Sequence, residues 1–499
     1  MSYGVHMTPN MARSRTKIAV AAAVLLALGV PLAAMAMSRG GQTKAAPEAT
    51  PSFQRDIAPI IRDKCAGCHQ TGGIAPFAFE TARQISTRAS LIAAAVEARL
   101  MPPWPPGIRS PNYVGEPERT LSSRERATIL AWARAGGRTD GPALRPKPKQ
   151  PGALRDGESA LEMRLPNAYR PSARKGVTDD YRCFLLDPKL TGDVSITSAR
   201  IEPGQPKEVH HVILFRVSQA QVAAAKELDS AAQGIGWTCF GGTGLPAGDG
   251  VSAGQDSLND ANWVAAWAPG GSGNRLPDGT GIPLPAGSQI VMQVHYNLLN
   301  GRAPDRSRAL LTVAPASAGL TPMQTILLPG PVELACATSE QGPLCSRTEA
   351  LFELSRKYGS GAALVPAGLL FLCRGSAAAP KPNAVSICDR RITTPTTIHV
   401  AAGHMHLLGA SIKLELNPGT PRARVLLDIP RWDFHWQNAY TLMQPARAEP
   451  GDILRVTCRH DVRKRTRGEH GVPKTPRYIL WGEGTTDEMC LGILQVTRG

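Results

Sequence analysis

The cysteines constrain this chain more than any other feature. Ten occur in 499 residues, and only Cys65 and Cys68 stand close together, in the run CAGCH at 65–69. A CxxCH run offers two thiols that can add to the vinyl groups of a haem and a histidine placed to ligate its iron. The other eight are Cys183, Cys239, Cys336, Cys345, Cys373, Cys388, Cys458 and Cys490. Eight is an even number and none of these shows CxxC spacing, which fits four bridges better than a zinc site.

Disulfides persist outside reducing compartments, and the N-terminus agrees. Arg13, Arg15 and Lys17 precede an apolar run ending near Ala34 and Ala36, the pattern of an export signal over residues 1–36. The run is also long enough to remain as a membrane anchor, so both fates stay open. The expected location is periplasmic or extracellular. The formal net charge is +16, but Lys and Arg are dispersed and no nucleic-acid motif accompanies them. A solvated basic surface is the simpler reading; docking of anionic redox partners is its rival. Forty-three prolines and 49 glycines predict many turns and short strands, hence a β-rich architecture of several domains.

Helical signals cluster around CAGCH. Residues 52–64 put Ile57, Ile60 and Ile61 on one helical face. Residues 122–135 begin with a Ser122-x-x-Glu125 capping box and stop before Gly136 and Gly137. A thioether is a suitable sixth ligand for an electron-transfer haem, and Met101, in LMPPWPPG, is the only methionine between CAGCH and Met163. Packing of Met101 against Trp104 is the alternative. This part resembles class I cytochromes c. The resemblance implies an all-α haem domain at about 50–140, carrying one covalent haem c on Cys65, Cys68, His69 and Met101. A Pro-rich linker follows at 141–165.

Downstream, histidines fall in β-like segments. His210 and His211 are adjacent in EVHHVILF, and His295 lies in IVMQVHYN. Adjacent residues of a strand face opposite ways, so His210 and His211 share an ion only if the strand ends, bulges or twists there. His404 and His406, in AAGHMHLLG, are two apart and expected on one face of a strand. Met489 precedes Cys490 in a polar stretch, and two histidines with a thioether suit copper. His399, His435 and His460 read as structural or surface residues. Trp432, Phe434 and Trp436 alternate as a strand's core face would.

Taken in order, these motifs resemble the copper type II, ascorbate-dependent monooxygenases. The resemblance implies two antiparallel jelly-roll-like sandwich domains, at 166–317 and 318–499, facing each other across a solvent-filled cleft with one copper ion on each. His210, His211 and His295 would hold the copper that stores and passes an electron, with Gln293 also matching. His404, His406 and Met489 would hold the one that binds dioxygen. It also implies Cys183–Cys239 and Cys458–Cys490 bridges; for the remaining four cysteines sequential pairs are expected. The peptide-amidating branch has an arginine, an asparagine and a tyrosine where this chain has Ala402, Leu491 and Ile493. Its carboxylate clamp is therefore gone, and a less polar substrate is expected. The implied activity is hydroxylation of a small molecule's C–H bond with dioxygen. Electrons would be relayed by the haem from an external donor, ascorbate or a redox protein. The alternative is a non-catalytic electron-transfer or copper-binding protein of the cell envelope.

Overall fold

A computed structural model describes residues 50–71, 75–144, 153–173, 179–239, 242–246, 262–268, 273–299, 301–376, 378, 380–469 and 471–499. The export segment lies outside these residues. Among them, no helix is long and apolar enough to cross a membrane.

Between 53 and 134 the regular elements among the described residues are short helices joined by loops. A π turn at Phe53–Ile57 runs into the helix Ala58–Lys64, capped by the Ser52 hydroxyl, with Ile57 and Ile61 buried. The Ser122–Glu125 capping box forms, and the helix Ser123–Arg134 ends at Gly136 and Gly137, both in the positive-φ conformation that glycine tolerates. Trp132, Phe53 and Ile129 anchor the small core between these helices.

The rest is mainly β-structure, in two layered cores. One lies between strands Ser159–Arg164, Arg308–Pro315, Val194–Glu202 and Thr280–Leu284 and a five-stranded sheet. The five-stranded sheet has the order Trp237–Thr238, Asp179–Leu186, Gln289–Asn297, Val209–Val217, Trp263–Trp267. The second core lies between strands Thr321–Pro329, Leu491–Arg498, Thr396–His404 and Ala439–Ala448 and a four-stranded sheet of Val385–Arg391, Ile453–His460, Gly409–Leu416 and Arg424–Ile429. Two parallel partners, Thr321 with Thr280 and Pro322 with Gly281, join the first sheet of each core into one.

Two expectations change. Ser159–Arg164 is a strand, not the end of a linker: it pairs with Arg308–Pro315 over six residues and buries Met163. Residues 432–436 form a turn-containing connection rather than a strand, although Trp432 and Phe434 are buried as expected.

The eight cysteines outside CAGCH form four bridges: Cys183–Cys239, Cys336–Cys345, Cys373–Cys388 and Cys458–Cys490. They point to an oxidising compartment. Cys458–Cys490 ties the residue after Met489 to the four-stranded sheet, closing a 32-residue separation. Replacing both cysteines with serine should lower unfolding stability by about 2–4 kcal/mol in urea titration, whereas an unchanged midpoint would show that packing alone holds this strand.

Candidate metal centre

The central strand of the five-stranded sheet, Gln289–Asn297, is buried at every residue but its last. Its register sets the first site. His295 lies opposite Tyr181 on one side and His211 on the other. The Tyr181 ring stacks on His295 with centroids 4.0 Å apart. Between Val209 and His211 the ladder skips a residue, so His210 sits in a bulge and both adjacent imidazoles turn toward His295.

Ring nitrogens then converge. The Nδ1 atoms of His210 and His211 are 3.3 Å apart, as are those of His295 and His211. His295 donates its Nε2–H to the Asp179 carboxylate at 2.7 Å, leaving Nδ1 bare. With Nδ1 of His210 and His211 unprotonated as well, nitrogens at this spacing would repel one another unless a cation lay between them. Ligand atoms held about 2.0 Å from one ion at tetrahedral angles stand about 3.3 Å apart, so the three histidines fit a metal ion. Burial, with the neighbouring His295, holds His210 and His211 well below the usual imidazole range, in the neutral form that ligates metal.

The second group rests on strand Thr396–His404. His404 lies opposite Leu491 of the C-terminal strand, which brings the chain just after Met489 alongside it. His404 ends its strand and His406 lies in the following turn, so the two do not share a strand face as expected; their rings are 5.0 Å apart. Met405 between them is fully buried in the core. Gly409 keeps the turn tight: a Cβ there would lie 2.6 Å from the Trp432 ring, whose Nε1 donates to the His406 carbonyl.

Neighbouring groups set both tautomers. The Gln437 amide donates to the Phe434 carbonyl, which turns its Oε1 to accept the His404 Nδ1–H at 2.6 Å. His406 donates Nδ1–H to the Asp487 carbonyl at 3.2 Å. Each imidazole therefore keeps Nε2 free as a ligand. Burial brings His404 down to about 4 and His406 well below its usual range. Glu488, itself fully buried, accepts the backbone N–H groups of His406, Leu408 and Met489, which fixes the ligand turn against the methionine.

The two groups are close together. The His211 and His404 rings are 6.3 Å apart, and His210 stacks on Phe434 at 4.6 Å. Where the resemblance implied metals across an open cleft, cross-links draw the walls in. Thr485 Oγ1 donates to the same Asp179 oxygen that holds His295, and Tyr181 donates to the Glu483 carbonyl. Met489, His404, His406, His211 and Gln293 all line one cavity of about 590 Å³. Trp263, Trp267, Leu327 and Val365 line it too, as do Ala402, Leu491 and Ile493. Gln293 donates to the Cys239 and Gly242 carbonyls and so bridges the end of the Cys183–Cys239 loop to the sheet.

Sequence reading missed Asp179, Gln437, Glu488 and Thr485. None of the four left a local signal; Asp179 opens a strand, DDYRCFLL, in which Asp180 and Arg182 are charged as well. His399 bonds Thr497, and His460 bonds the Met489 carbonyl, so both are structural as expected.

In the helical region, Cys65 caps Ala58–Lys64, and the N–H groups of Cys68 and His69 return to its carbonyl. Neither cysteine is in a disulfide. Burial pushes the Cys65 thiol up to about 12, which keeps it protonated in the metal-free chain. His69 is buried, stacks on Phe79 at 4.4 Å and donates Nδ1–H to the Phe77 carbonyl, leaving Nε2 free. Met101 is half-buried in the loop after the helix Ala89–Glu97.

No curated protein matches the chain. Among solved structures, the major capsid protein P2 of bacteriophage PM2 aligns at 8% identity with a TM-score of 0.24, covering 68% of this chain and 98% of that one. Allantoicase aligns at 8% identity with a TM-score of 0.15, covering 65% and 90%. Scores this low assign no fold. Residues 377–495, which carry His404, His406 and Met489, match the family described as copper type II ascorbate-dependent monooxygenase, C-terminal domain, and so support kinship with the copper monooxygenases.

Proposed function

We propose that this chain is an exported, haem-fused dicopper monooxygenase that hydroxylates a C–H bond of an apolar small molecule with dioxygen. The observation that carries this reading is the pair of tautomer-fixed histidine groups, with Met489, opening into one largely apolar cavity. His210, His211 and His295 would hold one ion through Nδ1; His404 and His406 through Nε2, with Met489, would hold the other. Copper in these sites supplies the redox chemistry that activates dioxygen.

The chain's own residues do the rest. Asp179, Gln437 and the Asp487 carbonyl keep the donor nitrogens of His295, His404 and His406 unprotonated and aimed. Tryptophans at 263 and 267 and the aliphatic wall take up an apolar substrate and exclude water. Ala402, Leu491 and Ile493 offer no polar group to a carboxylate, which argues against peptides ending in glycine. Cys65, Cys68 and His69, in a segment spanning 50–140, are suited to covalent haem c, with Met101 as second axial ligand. The β domains would be 166–317 and 318–499. An external donor, ascorbate or a redox protein, would supply the haem with electrons.

Metal analysis of the purified chain should find about two coppers and one haem; zinc in the histidine sites would overturn the proposal. With neutral apolar substrates, Met489→Ala should abolish substrate-dependent oxygen uptake while the haem spectrum stays native. Asp179→Asn should weaken copper binding at the three-histidine group by about 10–100-fold in competition titrations; unchanged affinity would mean that Asp179 does not orient His295.

A further inference from the structure

Among the described residues, the helical segment meets the second β core through residues 104–114. Strand Ala439–Ala448 receives residues 112–114: Tyr113 bridges Leu442, Val114 donates to the Thr441 carbonyl, and Met443 donates back to Asn112. Gly107, Arg109 and Ser110 bond Asp428, and the Tyr113 hydroxyl donates to the Leu426 carbonyl. At the centre, the Trp104 ring meets Tyr440 edge-on, with centroids 5.4 Å apart. Trp104 is three residues beyond Met101 in the chain.

On one side Trp104 is tied to the CAGCH turn. Lys64, the neighbour of Cys65, donates to the Pro117 and Thr120 carbonyls on either side of Arg119, whose guanidinium lies 5.3 Å from the Trp104 ring centre. On the other side, Tyr440 lies opposite Ala401 on the strand that ends in His404, and Gln437, three residues before it, bonds His404 directly.

Resting on the haem and copper reading above, we propose that Trp104 and Tyr440 are the contact through which an electron leaves the haem-bearing segment. The destination is the His404, His406 and Met489 group rather than the three-histidine group. One electron leaves ferrous haem, which becomes ferric, and converts cupric ion to cuprous; no bond between heavy atoms changes. Electron tunnelling falls off steeply with distance and is faster through packed and bonded atoms than through gaps. Among the described residues, the three-histidine group is reached from this side by the stack of Phe434 on His210, six residues back along the chain from Tyr440 rather than three, or through His404 itself, whose ring lies 6.3 Å from that of His211.

Tyr440 is 2% exposed, and its hydroxyl has no hydrogen-bond partner among the described residues. A phenol with no acceptor has nowhere to release a proton, so Tyr440 acts as a bridge and is not itself oxidised. Its ring is needed and its hydroxyl is not.

The test uses the full-length copper-loaded holoprotein under anaerobic conditions. The haem is reduced by a flash, its reoxidation is followed by absorbance, and cupric signals are followed by electron paramagnetic resonance. Trp104→Leu and Tyr440→Leu should each slow reoxidation by at least about tenfold, ~1.4 kcal/mol on the barrier. Trp104→Phe and Tyr440→Phe should retain the native rate, which a merely destabilised fold would not. The fast phase should disappear in His404→Ala and persist in His211→Ala. Leucine variants that react at the native rate with full haem and copper content would overturn the proposal. So would loss of the fast phase in His211→Ala alone, which would point to the Phe434 route. A chain without covalent haem by its pyridine haemochrome spectrum would overturn the underlying haem reading as well, and that outcome is separate from the others.

Discussion

Everything at this site depends on keeping five imidazoles, two buried and three partly buried, neutral and correctly protonated where the two β cores meet. An imidazole out of water resists charging, and a neutral one must place its single proton on one nitrogen. At His295, His404 and His406 that proton is given to an acceptor supplied by the fold: Asp179, Gln437 and the Asp487 carbonyl. The acceptors are themselves fixed. Gln437 cannot flip without losing Phe434, and Asp179 already accepts from Thr485. The free nitrogens therefore converge because the outer shell leaves them no other orientation.

Asp179 also explains why the two histidine groups are so close. Its carboxylate belongs to the first β core, whereas Thr485 belongs to the loop that delivers Met489 in the second. One oxygen thus serves a ligand of one group and the loop of the other. The Tyr181 hydroxyl on the Glu483 carbonyl repeats the link two residues away. These contacts, with the two shared parallel partners at Thr321 and Pro322, hold the histidine-bearing walls together where hydrophobic packing alone would let the sheets slide.

Much of this was legible in the sequence wherever the signal was local. The eight cysteines paired as order and resemblance suggested, and the adjacent His210 and His211 required a bulge that the ladder contains. The capping box at Ser122 needs only four residues to be recognised. What sequence could not show were partners separated by hundreds of positions. Asp179 and Thr485 are 306 apart, and nothing in either neighbourhood specifies the other. The Trp432 to Trp436 alternation failed for a related reason. A short aromatic run reads like a strand, but here Trp432 bonds the His406 carbonyl and Phe434 stacks on His210, contacts that a regular strand would not satisfy.

The same strands that position His404 and Met489 also line the cavity proposed to take substrate, which limits how specificity could vary. Ala402 and Ile493 are register partners two residues from His404 and from Leu491, and His404 and Leu491 are themselves partners. Side chains two apart on a strand share a face, so a residue at 402 or 493 points into the cavity along with the ligand that follows or precedes it. Introducing a bulky or charged group there would alter the apolar wall beside His404 without altering the backbone that holds it. On the proposed reading, selectivity would be tuned at positions 402, 491 and 493, while Asp179, Gln437 and Glu488, which sit behind the histidines and hold their geometry, would have no comparable freedom.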